Sequence, residues 1–120
     1  MATNKNYPQY REKLANLVNE LGKEIPDTLS GFQKLHHSAT RSDRLDTKTK
    51  ELIALGIAIA VRCDGCIAYH VKDALDANAT RDEIMETIGV AVLMGGGPAL
   101  MYGAEALEAV GQFMGEAKPA

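Results

Sequence analysis

Between Ile88 and Ala104 the chain carries no charged residue, and Gly95-Gly96-Gly97-Pro98 stands in the middle of that stretch. A second apolar run, Leu52 to Val61, has about half the length that spans a bilayer. Segments that are too short for a membrane, or are interrupted by a helix-breaking cluster, read as helices buried on every side in a core or a subunit interface. No run alternates apolar and polar residues with period two beside turn signals, so no sheet is expected. The fold class this predicts is all-α, with no membrane span.

The rest of the chain extends that pattern to about six helices. Pro8 suits the first position of a helix carrying Leu14, Leu17, Val18 and Leu21, with Gly22 as its stop. Pro26 opens a second helix with Leu29, Phe32 and Leu35, fading through His36-His37 into a polar stretch. Asp46 is the expected N-cap of a third helix, from Thr47 to about Arg62. Gly65, costly inside a helix and easy at a turn, marks the break before a fourth helix from about Cys66 to Ala77. Thr80 and Glu83 form a capping-box pattern for a fifth helix, which the three glycines end. Pro98 starts a sixth through about Phe113. Small residues such as Ala91, Gly103, Ala106 and Ala109 let helices approach closely, so the late helices are expected to pack densely.

With 120 residues, no internal repeat and no long linker, residues 1–120 read as one domain. A chain of this size buries roughly 65% of the surface its unfolded form exposes, a modest core that subunit association would support. Thirteen basic and sixteen acidic residues give a net charge of -3, with no concentration of Lys or Arg, so nucleic acid is not an expected partner. The start, Met1-Ala2-Thr3-Asn4-Lys5-Asn6, lacks an apolar run, which points to the cytoplasm. In that reducing compartment a close cysteine pair is more often catalytic or metal-binding than structural.

Such a pair is present in Cys63-Asp64-Gly65-Cys66-Ile67-Ala68-Tyr69-His70. Regular helical spacing leaves Cβ atoms three residues apart about 5–6 Å from each other, whereas a relaxed disulfide wants about 3.8 Å. A bridge at this spacing is expected to be strained and readily reduced, which suits cycling. His70, four residues after Cys66 on one helix, leans back toward that sulfur. Cys63, seven residues from His70, lies about 10 Å from it along the axis, so direct contact is not expected. A first-turn position also favours a thiolate at Cys66, which makes Cys66 the candidate nucleophile and Cys63 the resolving thiol. Two alternatives stay open. Both cysteines can be small buried hydrophobes, or Cys63, Cys66 and His70 can be zinc ligands with a fourth from His36, His37 or an acid.

Glu51, Cys63, Cys66 and His70 together resemble the glutamate, eleven-residue gap and C-x-x-C-x-x-x-H signature of the alkylhydroperoxidase D branch of the carboxymuconolactone decarboxylase family. Leu45-Asp46-x-Lys48-x-Lys50-Glu51-Leu52-Ile53 before the motif and Met94-Gly95-Gly96-Gly97-Pro98-Ala99 after it are similar to that family too. The resemblance implies a helical-hairpin fold, assembly as a homo-oligomer (trimer or hexamer), and thiol peroxidase or disulfide reductase activity. It implies no cofactor and no metal. By the family scheme Cys66 attacks a peroxide and becomes a sulfenic acid, Cys63 condenses with it, and a dithiol reductant protein reopens the bridge. His70 and Glu51 would act as a proton relay. The better-known peroxidase members place a histidine directly before the second cysteine, where this chain has Gly65, so proton delivery would be simpler or pass through water or Tyr69. Glu51 lies about 18 Å before Cys63 along a straight helix, so it can help only if the chain folds back. Otherwise it is a first-turn acid satisfying a helix dipole. A non-enzymatic redox-sensing oligomer is the second reading. Lactone decarboxylation ranks below both, because the decarboxylases do not use a cysteine pair.

Overall fold

The computed structural model describes residues 3–115. They form five helices: α1 (Tyr7–Glu24), α2 (Pro26–Thr40), α3 (Thr47–Ala60), α4 (Asp64–Asp76) and α5 (Arg81–Phe113), with no strand among the described residues. Asn6 starts α1 by accepting from the Gln9 N–H at 3.1 Å, and Pro8 lies in its first turn. Helix α1 passes through Gly22 instead of stopping there. The glycine serves a different purpose: a Cβ at Gly22 would sit 2.3 Å from Leu29 Cδ2, so it lets α2 fold closely against α1. Helix α2 continues through His36 and His37 to Thr40. None of its residues is buried, and the apolar faces expected on α1 and α2 are largely open, with Leu17, Leu21, Phe32 and Leu35 exposed.

Helices α3, α4 and α5 make the core. Leu55, Ile59, Ile67, Val71, Ile84 and Val110 are fully buried in it. Alanines fill the close contacts, among them Ala58, Ala68, Ala74, Ala99, Ala106 and Ala109, as the dense-packing expectation required. Both cap expectations for α3 and α5 hold. Asp46 accepts from the Thr49 N–H at 2.8 Å, and Thr80 and Glu83 close a reciprocal capping box.

The α3–α4 junction corrects the expected boundaries. Helix α3 ends at Ala60, and Arg62 takes a left-handed conformation, φ 61°. The Cys63 N–H then returns to the Ala58 carbonyl and the Arg62 N–H to the Ile59 carbonyl. These paired bonds are a Schellman stop, with arginine in the position glycine usually fills. The break therefore falls at Arg62, and α4 starts at Asp64, before the Cys66 start expected from sequence. Gly65 lies inside its first turn. There the missing Cβ makes room for α1, since a Cβ would meet Leu14 Cδ1 at 3.0 Å and the Tyr10 hydroxyl at 3.8 Å.

The expected fifth and sixth helices are two limbs of one element. Within α5 only Gly96 leaves helical geometry, at φ 69° and ψ -151°. Gly103 lies on the second limb, yet a Cβ on it would meet Ile88 Cγ2 of the first limb at 2.8 Å. In a straight helix those residues would be roughly 22 Å apart. The chain therefore doubles back at Gly96, and the glycine triplet is a hinge inside the core. By length and apolar composition α5 is long enough to cross a membrane. Its folded axis and its packing on α3 and α4 instead make it the central hairpin of the bundle.

Candidate active site

The α3–α4 hairpin brings together residues that are far apart in sequence. Cys63 is the N-cap of α4, with extended backbone (φ -104°, ψ 99°), and its Sγ accepts the Cys66 N–H at 3.2 Å. Leaving the helix at Cys63 changes the geometry assumed from regular spacing. The Cα atoms of Cys63 and Cys66 stand 5.2 Å apart, within the ordinary disulfide range, and the two residues are joined as a disulfide. Both are partly buried, neither sealed in the core nor fully exposed. The earlier helix start also redistributes the electrostatics. The first-turn N–H expected to favour Cys66 is directed at the sulfur of Cys63, and Cys66 sits in the same turn.

The chain folds back between α3 and α4, which brings Glu51 to His70. Its carboxylate, 3% exposed, lies 2.8 Å from His70 Nδ1 across the α3–α4 contact. With Nδ1–H donated to Glu51, the imidazole keeps Nε2 as its basic nitrogen on the opposite side of the ring. One turn separates that ring from Cys66 along α4.

Several neighbours of this site carry no local sequence signal. Asp73, one turn beyond His70, lies 3.7 Å from an Arg11 terminal nitrogen on α1. Arg11 also lies over the Tyr69 ring, 4.7 Å from its centroid. His36 of α2 joins them, because donor atoms of His36, Glu51 and Asp73 all fall within 4.8 Å of one another. Burial pushes the Asp73 carboxyl above the usual carboxylate range, and the negative charge of Glu51 adds to that. Arg11, His70 and His36 act in the opposite direction. On the other flank of the motif, Asp64 between the cysteines accepts from the Tyr7 hydroxyl at 2.9 Å and pairs with Lys5 at 3.2 Å. Burial, followed by that hydrogen bond, raises the Tyr7 phenol strongly. The Tyr7 N–H donates to Gln112 Oε1 at 2.7 Å, so the N-terminal segment ties the start of α4 to the second limb of α5.

Two groups of side chains carry donor atoms of the kind that bind metals. The Cys63, Cys66 and His70 set requires two thiolates, which the disulfide removes in this state. The His36, Glu51 and Asp73 set is close enough to surround an ion, but Glu51 is held by His70 and Asp73 faces the Arg11 cation. The two carboxylates of this set are thus already engaged by groups of the protein itself.

A cysteine pair at the start of one helix, with an imidazole one turn on and a carboxylate from the antiparallel helix behind it, defines an all-helical protein of the C-x-x-C class. More specifically, residues 26–109 match the carboxymuconolactone decarboxylase family, and the chain belongs to that family. An apo protein of this family from Legionella pneumophila is similar at 45% identity and a TM-score of 0.86, covering 89% of this chain and 96% of its own. A Thermotoga maritima member, described with a suggested involvement in antioxidative response, is 28% identical with a TM-score of 0.78 and covers 92% of both chains. An uncharacterized protein of Cupriavidus necator is 39% identical over 87 residues, 72% of this chain and 77% of its own. The family match begins after α1, so the helix that packs on Gly65 and Asp73 lies outside it.

Proposed function

We propose that this protein is a thiol peroxidase or disulfide oxidoreductase that cycles Cys63 and Cys66, acting in the cytoplasm as a homo-oligomer. The observation that carries the reading is the Glu51–His70 pair at 2.8 Å, one turn downstream of Cys66. His70 Nε2 accepts the Cys66 thiol proton, and Glu51 holds the ring in the required tautomer and favours the imidazolium. The Cys66 thiolate attacks one oxygen of a small peroxide. The O–O bond breaks, His70 returns its proton to the departing alkoxide, and Cys66 becomes a sulfenic acid. Cys63 attacks that sulfur, releasing water and forming the disulfide.

A dithiol protein reopens the bridge by exchange. Attack on the Cys66 sulfur expels Cys63 as a thiolate, which the Cys66 N–H at the helix start stabilises, so the mixed disulfide forms on Cys66. The second thiol of the reductant then releases Cys66 and leaves as a disulfide. Neither cofactor nor metal enters the cycle.

Single-cysteine variants assayed with an organic peroxide and a dithiol test the roles. Cys66→Ser loses turnover altogether. Cys63→Ser still consumes one equivalent of peroxide and stops at a sulfenic acid that a dimedone-type probe labels. A Cys66→Ser variant that keeps the single-equivalent reaction would exchange the two roles. Reversible oxidation without turnover in the unmodified protein would favour the redox-sensing oligomer.

A further inference from the structure

Asp73 is an expensive residue where it stands. A second carboxylate, close to a carboxylate as buried as Glu51, suffers both loss of hydration and like-charge repulsion. Surface positions on α4 were available to an acid, as Asp76 shows by pairing with Lys72 near solvent. Three helices nonetheless converge on Asp73, bringing Arg11 from α1, His36 from α2 and Glu51 from α3 to the face of α4 that carries His70.

We propose that Asp73 is a positioning residue of the thiol site: with Glu51 it forms a two-carboxylate counter-charge that holds on His70 the proton released by Cys66. This inference rests on the reading of His70 as the proton acceptor. When the thiol proton moves to His70, a positive imidazolium appears beside Glu51. A second negative charge behind Glu51 stabilises that state more than the neutral ring, and Arg11 limits how much negative charge the pocket carries.

The other charged groups near α4 are paired elsewhere or face solvent. On α3, Lys48 pairs with Glu83 and Lys50 donates to the Arg41 carbonyl. On α1, Glu12 and Lys13 are exposed. On α5, Glu105 is bound by Lys5, which also holds Asp64 at the opposite end of α4. His36 is the exposed member of the cluster and faces Asp73 from solvent.

The test follows the His70 ring by NMR through a pH titration of the disulfide form, with neither peroxide nor reductant present. In Asp73→Asn the His70 midpoint falls by half a unit or more. In the reduced protein the pH profile of Cys66 alkylation moves upward by a similar amount, so the rate near neutral pH drops about threefold, since one unit is a factor of ten. Asp73→Glu restores both. Arg11→Gln, which unmasks the Asp73 charge, moves the His70 midpoint in the opposite direction and keeps the question answerable if Asp73→Asn fails to fold. A His70 midpoint in Asp73→Asn within 0.1 unit of the unmodified protein, or an Arg11→Gln shift that is absent or downward, overturns the proposal. The ring titration does not depend on turnover, so an inactive peroxide assay sinks the proposed reaction alone, while an unmoved midpoint sinks only the role of Asp73.

Discussion

Asp73 also makes a prediction about stability whose sign follows from its surroundings. Burial first, and then Glu51, raise its carboxyl above the unfolded value near 3.9. The folded protein therefore binds this proton more tightly than the unfolded chain does. The contribution to stability is fully present below the unfolded value and is lost as pH rises from about 4 through the raised folded value. Asp73→Asn removes that loss. Denaturant unfolding is expected to show the variant more stable than the unmodified protein at pH 7, with the gap closing toward pH 4. A variant less stable at pH 7 would mean that the attraction of Arg11 outweighs the cost of burial. At this scale the sequence exposes only part of the site. Cys63, Cys66 and His70 are legible because one helix sets their spacing. Asp73, Arg11 and Asp64 are not, because their partners come from other helices, and no periodicity marks a charge that acts across 3.7 Å of tertiary contact. Arg62 is illegible for a different reason: left-handed backbone is the usual province of glycine, and Gly65 lies three residues further on.

The hairpin of α5 depends on one backbone position. The glycine triplet signals a break legibly, but composition does not say which glycine bends or that the two limbs fold onto each other. That information lies in the contacts: Gly95 approaches Ala99 and Ala60, Gly103 approaches Ile88, and Gly96 alone adopts φ 69° with ψ -151°. Such a conformation is essentially restricted to glycine, and a side chain there costs about 1–3 kcal/mol. Gly97, with open space at its Cβ position and no positive φ, carries no such requirement. Gly96→Ala is therefore expected to lose about 1–3 kcal/mol of unfolding free energy, whereas Gly97→Ala stays near neutral. Equal losses in thermal or denaturant melts would remove the special status of Gly96. The same logic separates Gly22 and Gly65 from their expected roles as stop and turn. Both are close-approach positions between α1 and a neighbour, a property that appears only once the helices are packed.

At the scale of the whole molecule, the single chain exposes more surface than a compact monomer of its mass. Its accessible surface is 7774 Å², against roughly 6,300 Å² for a compact monomer of 12.9 kDa. Part of that exposed surface is an apolar strip on the core helices. Between α3 and the first limb of α5 runs a groove of about 520 Å³ whose lining includes Ile53, Ile57, Val90 and Met94 and contains no charged side chain. Val61, just past the end of α3, and Leu93 on α5 are also exposed. An apolar patch of this kind is where the proposed homo-oligomer would seat a second copy, whose own exposed α3 and α5 faces supply a matching surface. Light scattering on the purified protein at micromolar concentration is accordingly expected to give a trimer or hexamer. Ile57→Glu, which puts a carboxylate into the centre of the apolar strip at a position 57% exposed in the single chain, should shift that mass toward the monomer while leaving helical content unchanged. A buried core position such as Ile59 would unfold the chain and dissociate it together, whereas Ile57 burdens only the surface between copies. A monomeric mass for the unmodified protein would leave the groove to a different partner and remove subunit association from the account of how so small a core is sustained.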